Sequence, residues 1–327
     1  MPVTSVLICD DSSLARKQLL RALPGGWNAE IEQVSDGREA IERIQQGGIE
    51  LLFLDLTMEE MDGFQVLQAL DAQEIRLPVI VISADIQDEA VRRVLDYGAL
   101  AFLKKPVDAE QLHQLLASHR LIDPHTALAE RSSDQPLPFR EVFAEVVNVG
   151  MGRAAALLAR VLGVYVQLPI PNVNMLEVGE LQMALEDAAR GEKLTAVCQG
   201  YIGSGIAGEA LLIFHDSEVD DMARLMQLQR YQEMEMLLDL SSLLISACLS
   251  GIAEQIGVVF SQGHPQVLGQ RASISELIHL NRQRWNKTLA VEISYSLEGH
   301  DIHFDLLLLF TEDSVGLLSR KLSYLMN

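Results

Sequence analysis

Short apolar runs alternate with amphipathic stretches through the first third of the chain. Residues 6–11, VLICDD, form an apolar strand that ends on two aspartates. Helical spacing follows over 12–23, strand over 31–34 and helix over 38–46. LLFLD closes a third strand at Asp55, a helix covers 63–70, and PVIVIS closes a fourth strand at Ser83. A helix over 87–97, a strand in ALAFLKKP and a helix over 108–118, capped by Asp108, complete the series. Five strand–helix units in succession predict an α/β domain with a doubly wound, five-stranded parallel sheet. Ligands of such sheets gather at the carboxyl ends of the strands, where Asp10, Asp11, Asp55, Ser83 and Lys105 all stand.

Periodicity fades beyond 119, where Pro124, Pro136 and Pro138 flank a polar run. This reads as a linker over 122–137 between a domain at 1–121 and a second at 138–327. The second domain opens on a long helix over 139–161, with Val142, Val146 and Val149 on one line and Phe143, Val147, Ala154, Leu157 and Val161 on another. Gly150 and Gly152 interrupt it at about 1 kcal/mol each relative to alanine, so something packs against the backbone there. Glu145 and Asn148, three apart, share a face. The block then recurs. Asp239 and Ser242 stand where Glu145 and Asn148 stood, and Pro265 stands where Pro171 stood (242 − 148 = 94; 265 − 171 = 94). GEALLIF ending at Phe214 returns as FDLLLLF ending at Phe310, an offset of 96 (310 − 214 = 96). Each copy reads long helix, short strand, proline, hairpin of long strands, helix, over about 138–230 and 231–327. An α+β domain with pseudo-two-fold symmetry is expected.

The chemistry of the first domain follows from its carboxylates. Asp10, Asp11 and Asp55 repel one another unless a hard cation is present, and oxygen ligands with open positions suit Mg²⁺. A carboxylate beside that ion could attack a phosphoryl donor while Lys105 neutralises the phosphoryl oxygens. These residues at these strand ends resemble the CheY-like receiver domain over about 1–121. That resemblance implies Asp55 as phosphate acceptor, with Asp10, Asp11, Asp55 and the Thr57 backbone carbonyl serving Mg²⁺. It also implies Ser83 as the switch hydroxyl, Phe102 as the rotating aromatic, Lys105 as the lysine of the switch, and a sensor histidine kinase as phosphodonor. Glu59 departs from the family, which usually has proline there.

In the second domain, a carboxylate beside a carboxamide supplies a fixed charge and a group that both donates and accepts hydrogen bonds. The amide cannot act as a base, but it can orient a water. E-x-x-N with a proline twenty-three positions on (171 − 148 = 23), duplicated within one domain, resembles the CheC/CheX/FliY phosphatases over about 138–327. Those enzymes hydrolyse the aspartyl phosphate of CheY-type response regulators. The resemblance makes Glu145 and Asn148 catalytic and Asp239 and Ser242 a degenerate second site. It implies a two-component, chemotaxis-type protein whose receiver controls a phosphatase acting on a CheY-type regulator. Glu141, four residues before Glu145, is a departure, since the family often has Asp or Ser there. Action on the chain's own Asp55, and a non-enzymatic phospho-dependent binding module, stand as the other readings.

Composition narrows the partners. At 327 residues, 49% hydrophobic and 22% charged, the chain has room for about two ordinary globular cores. Its formal charge of −21 argues against nucleic acid or an anionic membrane as ligand. Cys9, Cys198 and Cys248 sit unpaired in apolar runs, as expected of reduced core thiols. No apolar run is read as long enough to span a bilayer and no leader opens the chain, so a cytoplasmic protein without membrane insertion is expected. A homodimer is left open. Gly203, Gly205 and Gly208 spell GxGxxG, but strand rather than helix follows, which predicts a hairpin connection instead of a nucleotide site. His300 and His303 lie near a second hairpin turn, on opposite faces of a strand.

Overall fold

A computed structural model of the chain describes residues 2–127, 136–176, 194–227, 233–272 and 288–326. The chain divides into two compact units, Met1–Glu145 with Leu325–Asn327 and Val146–Tyr324. Part of the linker expected over 122–137 and the junction of the two copies at 230/231 lie outside the described residues.

In the first unit, β1 (Ser5–Cys9), β2 (Glu30–Val34), β3 (Leu51–Leu54), β4 (Val79–Ser83) and β5 (Ala101–Lys104) form a sheet ordered β2-β1-β3-β4-β5. Every pairing is parallel. Between and after the strands run α1 (Ser13–Ala22), α2 (Gly37–Gln45), α3 (Gly63–Ala72), α4 (Asp88–Asp96) and α5 (Ala109–Ser118). The central strands read as unbroken apolar runs because both faces are covered. Val6, Ile8, Phe53, Ile80 and Ile82 pack with Leu19 of α1 and with Leu112 and Leu116 of α5. The alternate residues Leu7, Leu52, Leu54 and Val81 are buried as well. Four helices start on side-chain caps: Ser12 accepts from the Ala15 N–H, Asp36 from Arg38, Asp62 from Gln65 and Asp108 from Gln111. Each cap therefore fixes where a loop stops and its helix begins.

The second unit is an antiparallel sheet with helices. Its first segment continues α6 (Phe139–Leu162), followed by β6 (Val166–Gln167), β7 (Asn172–Leu176), the hairpin β8 (Leu194–Gly203) and β9 (Ile206–His215), and α7 (Asp216–Leu225). The same order returns as α8 (Glu233–Ile256), β10 (Ser261–Gln262), β11 (Gln266–Ala272), β12 (Thr288–Leu297), β13 (His303–Thr311) and α9 (Glu312–Met326). The long helices and the first long strands are offset by the same amount (233 − 139 = 94; 288 − 194 = 94). Among the described residues the sheet order is β10-β8-β9-β13-β12-β6, with β11 also on β8 and β7 also on β12. The short strands of each copy thus pair with the long hairpin of the other.

The long helices cross at glycine. A Cβ on Gly150 would meet the Cys248 carbonyl at 2.7 Å, and one on Gly251 would meet the Gly150 Cα at 2.6 Å. The Gln255 side chain donates to the Val146 carbonyl at 2.9 Å across the same crossing. The GxGxxG run is a hairpin turn, with Ser204 and Gly205 at φ of 51° and 81°. Gly203 and Gly208 lie against the carbonyls of Val259 and Leu309, where a Cβ would stand 2.2 and 2.1 Å away. The three cysteines are buried and free.

The expectation of no span-length apolar segment needs correction. Phe139–Leu162 and Glu233–Ile256 are long and apolar enough to cross a membrane by length and composition. The 18-residue windows that qualify are 78% and 61% buried inside the protein, and that burial accounts for their composition.

Candidate functional site

Four adjacent strands deliver the cluster. Asp10 follows β1, Asp55 follows β3, Ser83 ends β4 and Lys105 follows β5. Parallel register brings these ends level: the Asp55 N–H donates to the Cys9 carbonyl at 2.9 Å, and the Lys105 N–H donates to the Ser83 carbonyl at 2.9 Å. The Ser83 hydroxyl accepts from the Asp85 N–H at 3.1 Å, so its own proton remains available to donate. Gly63 opens α3 directly beneath Asp55, where a Cβ would stand 2.2 Å from the Asp55 carbonyl. The Asp10 carboxylate accepts from the Ser12 N–H at 2.9 Å, and Arg16 donates to the Asp10 carbonyl at 2.6 Å. Thr57 is half-buried in the loop after β3, Glu59 is exposed beyond it, and Phe102 is half-buried on β5.

Lys105 is the centre of charge. Its ammonium lies 2.8 Å from Asp10, 3.3 Å from Asp55 and 3.4 Å from Glu145. All four side chains are under 10% exposed. Burial pulls the ammonium down, but Asp10, Asp55 and Glu145 outweigh it and hold Lys105 well above its ordinary value. Burial pushes Asp55 and Asp10 up, against the pull of Lys105. Burial, then the Asp10 charge, pushes Asp11 up to about 7, with Glu145 and Glu59 adding to the rise. Four acids around one cation leave an excess of negative charge.

A divalent cation fits that excess. Asp10, Asp11 and Asp55 each offer a carboxylate oxygen, and these lie within 4.8 Å of one another. Neither Asp55 oxygen accepts a hydrogen bond among the described residues. An all-oxygen set with orphaned buried oxygens suits Mg²⁺.

Glu145 arrives from outside the sheet. It is the last residue of the first unit, on α6, forty positions beyond Lys105 (145 − 105 = 40). The helix is buried on nearly every side from Val142 to Met151. Glu145 and Asn148 are 5% and 8% exposed, so neither belongs to a solvated stripe. The Asn148 carbonyl oxygen is buried without a hydrogen-bond partner among the described residues. The second-copy residues differ, for Asp239 is exposed and Ser242 only half-buried.

Asp10, Asp11, Asp55, Ser83 and Lys105 were marked by their places at strand ends. Gly63 was not marked, although its position behind the Asp62 cap is the signal that could have found it. No local pattern in the sequence set Glu145 against this chain's own Lys105.

A family model for the response regulator receiver domain matches residues 6–117, and that segment is a receiver domain. The transcriptional regulatory protein ZraR of Escherichia coli O157:H7 is 31% identical over 161 residues, 47% of this chain and 36% of its own length. A protein-glutamate methylesterase/protein-glutamine glutaminase of Treponema pallidum is 32% identical over 130 residues, 39% of this chain and 32% of its own length. The chain therefore spans about a third of each relative's length. Among solved structures, Thermotoga maritima FliY matches with a TM-score of 0.44 at 15% identity, over 57% of this chain and 96% of that one. A chain of the CheX–CheY–BeF3–Mg complex from Borrelia burgdorferi matches with a TM-score of 0.34 at 32% identity, over 36% of this chain and 90% of that one.

Proposed function

We propose that this response regulator takes a phosphoryl group on Asp55 and that its α6 pair hydrolyses the aspartyl phosphate of a CheY-type receiver. The observation that carries the second half is the buried pair itself. A carboxylate and an amide on one helix face, the amide oxygen left without a partner, are costly to bury unless they meet something polar.

For phosphorylation, a sensor histidine kinase or a small phosphodonor supplies the group. Mg²⁺, held by Asp10, Asp11 and Asp55 with the Thr57 carbonyl, would neutralise charge on the phosphoryl oxygens. Lys105 holds a second positive charge at the same place, and the Ser83 hydroxyl has a proton to donate to the new phosphate. For hydrolysis, Glu145 pairs with the lysine of the target receiver and fixes the register of the helix. Asn148 holds a water by hydrogen bonds. The transition state of phosphoryl transfer is loose, so positioning and electrostatics supply most of the acceleration and no strong base is needed. Asp239 is one methylene shorter than glutamate and Ser242 lacks the planar amide, so one working pair per chain is proposed.

Phosphate release from a phosphorylated CheY-type regulator tests this. Asn148→Ala should slow release by about a hundredfold while binding survives, because misplacing a positioned reactant costs that much. Wild-type turnover in that variant would remove the assigned role. One added phosphoryl mass that disappears in Asp55→Asn tests the receiver half.

A further inference from the structure

We propose that Asp85 is a positioning residue that ties the Ser83 hydroxyl to the first turn of α4, so that phosphate on Asp55 loosens the start of that helix. This rests on the reading that Asp55 takes a phosphoryl group, and it adds a route by which the receiver answers one.

The loop between β4 and α4 points there. Connecting loops ordinarily run over the surface, yet Ser83, Ala84, Asp85 and Gln87 are all at most 3% exposed. A carboxylate buried in such a loop is costly unless hydrogen bonds satisfy it. Asp85 meets that condition with its neighbours: its Oδ1 accepts from the Gln87 N–H at 3.1 Å and from the Gln87 Nε2 at 3.0 Å. Its own N–H donates to the Ser83 hydroxyl oxygen at 3.1 Å. Asp85 thus holds Ser83 with its backbone and Gln87 with its side chain.

α4 begins where that clamp ends. The helices α1, α2, α3 and α5 each open on a side chain that accepts from an N–H of its own first turn. Gln87, immediately before α4, makes no such bond among the described residues, and its side-chain amide donates back to Asp85. The Gln87 carbonyl accepts from the Val91 N–H at 3.1 Å. Hydrogen bonds therefore run from Ser83 through Asp85 and Gln87 to Val91, and the start of α4 depends on Asp85 instead of a cap of its own. When Ser83 donates its proton to a phosphoryl oxygen, its own oxygen is drawn toward Asp55 and away from the Asp85 N–H. A buried N–H that loses its acceptor is costly, so Asp85 shifts and its hold on Gln87 slackens.

Amide hydrogen exchange at Val91 in the full chain tests the link, without and with beryllofluoride and Mg²⁺ as a phosphoryl mimic. In wild type the mimic should speed Val91 exchange by roughly two- to tenfold, the worth of one net hydrogen bond. Asp85→Ala removes the accepting oxygen, so Val91 should exchange faster from the start and show no further response. Gln87→Ala, which removes one of the two donors, should respond less than wild type. Asp85→Asn keeps the accepting oxygen and should respond as wild type does, a rescue that a residue serving only loop stability would not give. An undiminished response in Asp85→Ala, or a lost response in Asp85→Asn, would overturn the inference. So would an Asp85→Ala chain that no longer takes a phosphoryl group, since Asp85 would then serve the transfer itself. Uptake of one phosphoryl mass from acetyl phosphate and Mg²⁺ is followed in parallel. If wild type takes the group and Val91 does not respond, the link fails and the receiver reading stands. If wild type takes none, the receiver reading itself fails.

Discussion

Lys105 sits among three buried carboxylates, and the lysine and its neighbour Glu145 should respond differently to substitution. Removing the lysine leaves Asp10, Asp55 and Glu145 buried with no cation between them. Breaking such a buried arrangement by deleting one partner costs about 3–5 kcal/mol. Lys105→Ala should lose that much in urea denaturation without Mg²⁺, and part of the loss should return when Mg²⁺ is added. Glu145→Gln removes one negative charge yet leaves Lys105 paired with Asp10 and Asp55, so it should be neutral or stabilising. Equal losses in the two variants would contradict this placement of charge. Asp11 carries a pH signature. Its carboxyl is raised from 3.8 to about 7 in the folded chain, so the fold holds a proton that the unfolded chain releases. That contribution is fully present below about pH 4 and is lost as pH rises through 7. Cation binding must expel the same proton. Mg²⁺ should therefore bind about tenfold more weakly at pH 6 than at pH 8, by calorimetry. A flat pH profile would mean that Asp11 is not a ligand. At this scale the strand-end residues were legible because a strand's carboxyl end is marked by the polar residue after an apolar run. The meeting of Glu145 with Lys105 was not, since no local pattern links positions forty apart.

The caps and apolar runs of the first unit set its elements almost residue by residue. Asp108, read as a cap, accepts from the Gln111 N–H at 2.7 Å, and Asp55 falls just past the end of β3. In the second unit the repeat was legible from the constant offset of 94 between Asn148 and Ser242. Strand pairing was not, because β6 and β7 join β12 of the other copy while β10 and β11 join β8. Those pairings are set by tertiary packing of both copies. The same limit hid Gly251. Its counterpart by offset is residue 157 (251 − 94 = 157), a leucine, so the repeat gave no hint of a glycine contact. Gly150→Ala and Gly251→Ala should each cost about 1–3 kcal/mol through overpacking at the α6–α8 crossing. Gly316, inside α9 with nothing within 4 Å of where an added methyl would stand, provides the contrast. Gly316→Ala should stabilise by about 0.5–1 kcal/mol. Urea denaturation of the three variants decides, and a harmless Gly251→Ala would refute the close crossing.

At the scale of the whole chain, the exchanged strands make each copy incomplete without the other. The unit Val146–Tyr324 should unfold in a single cooperative transition, and two repeat-sized steps in calorimetry would contradict the exchange. Two units and a formal charge of −21 were readable from length and composition. The division inside α6, at Glu145, was not, because it follows from the tertiary packing of the whole chain. The central claim is that the buried Glu145 and Asn148 make a phosphatase. Catalytic amounts of the protein, mixed with an excess of a phosphorylated CheY-type receiver, test it most directly. The account predicts many phosphates released per chain, with Asn148→Ala slower by about a hundredfold and Ser242→Ala unchanged. Release no faster than the receiver's spontaneous decay, or an equal rate from Asn148→Ala, would contradict it.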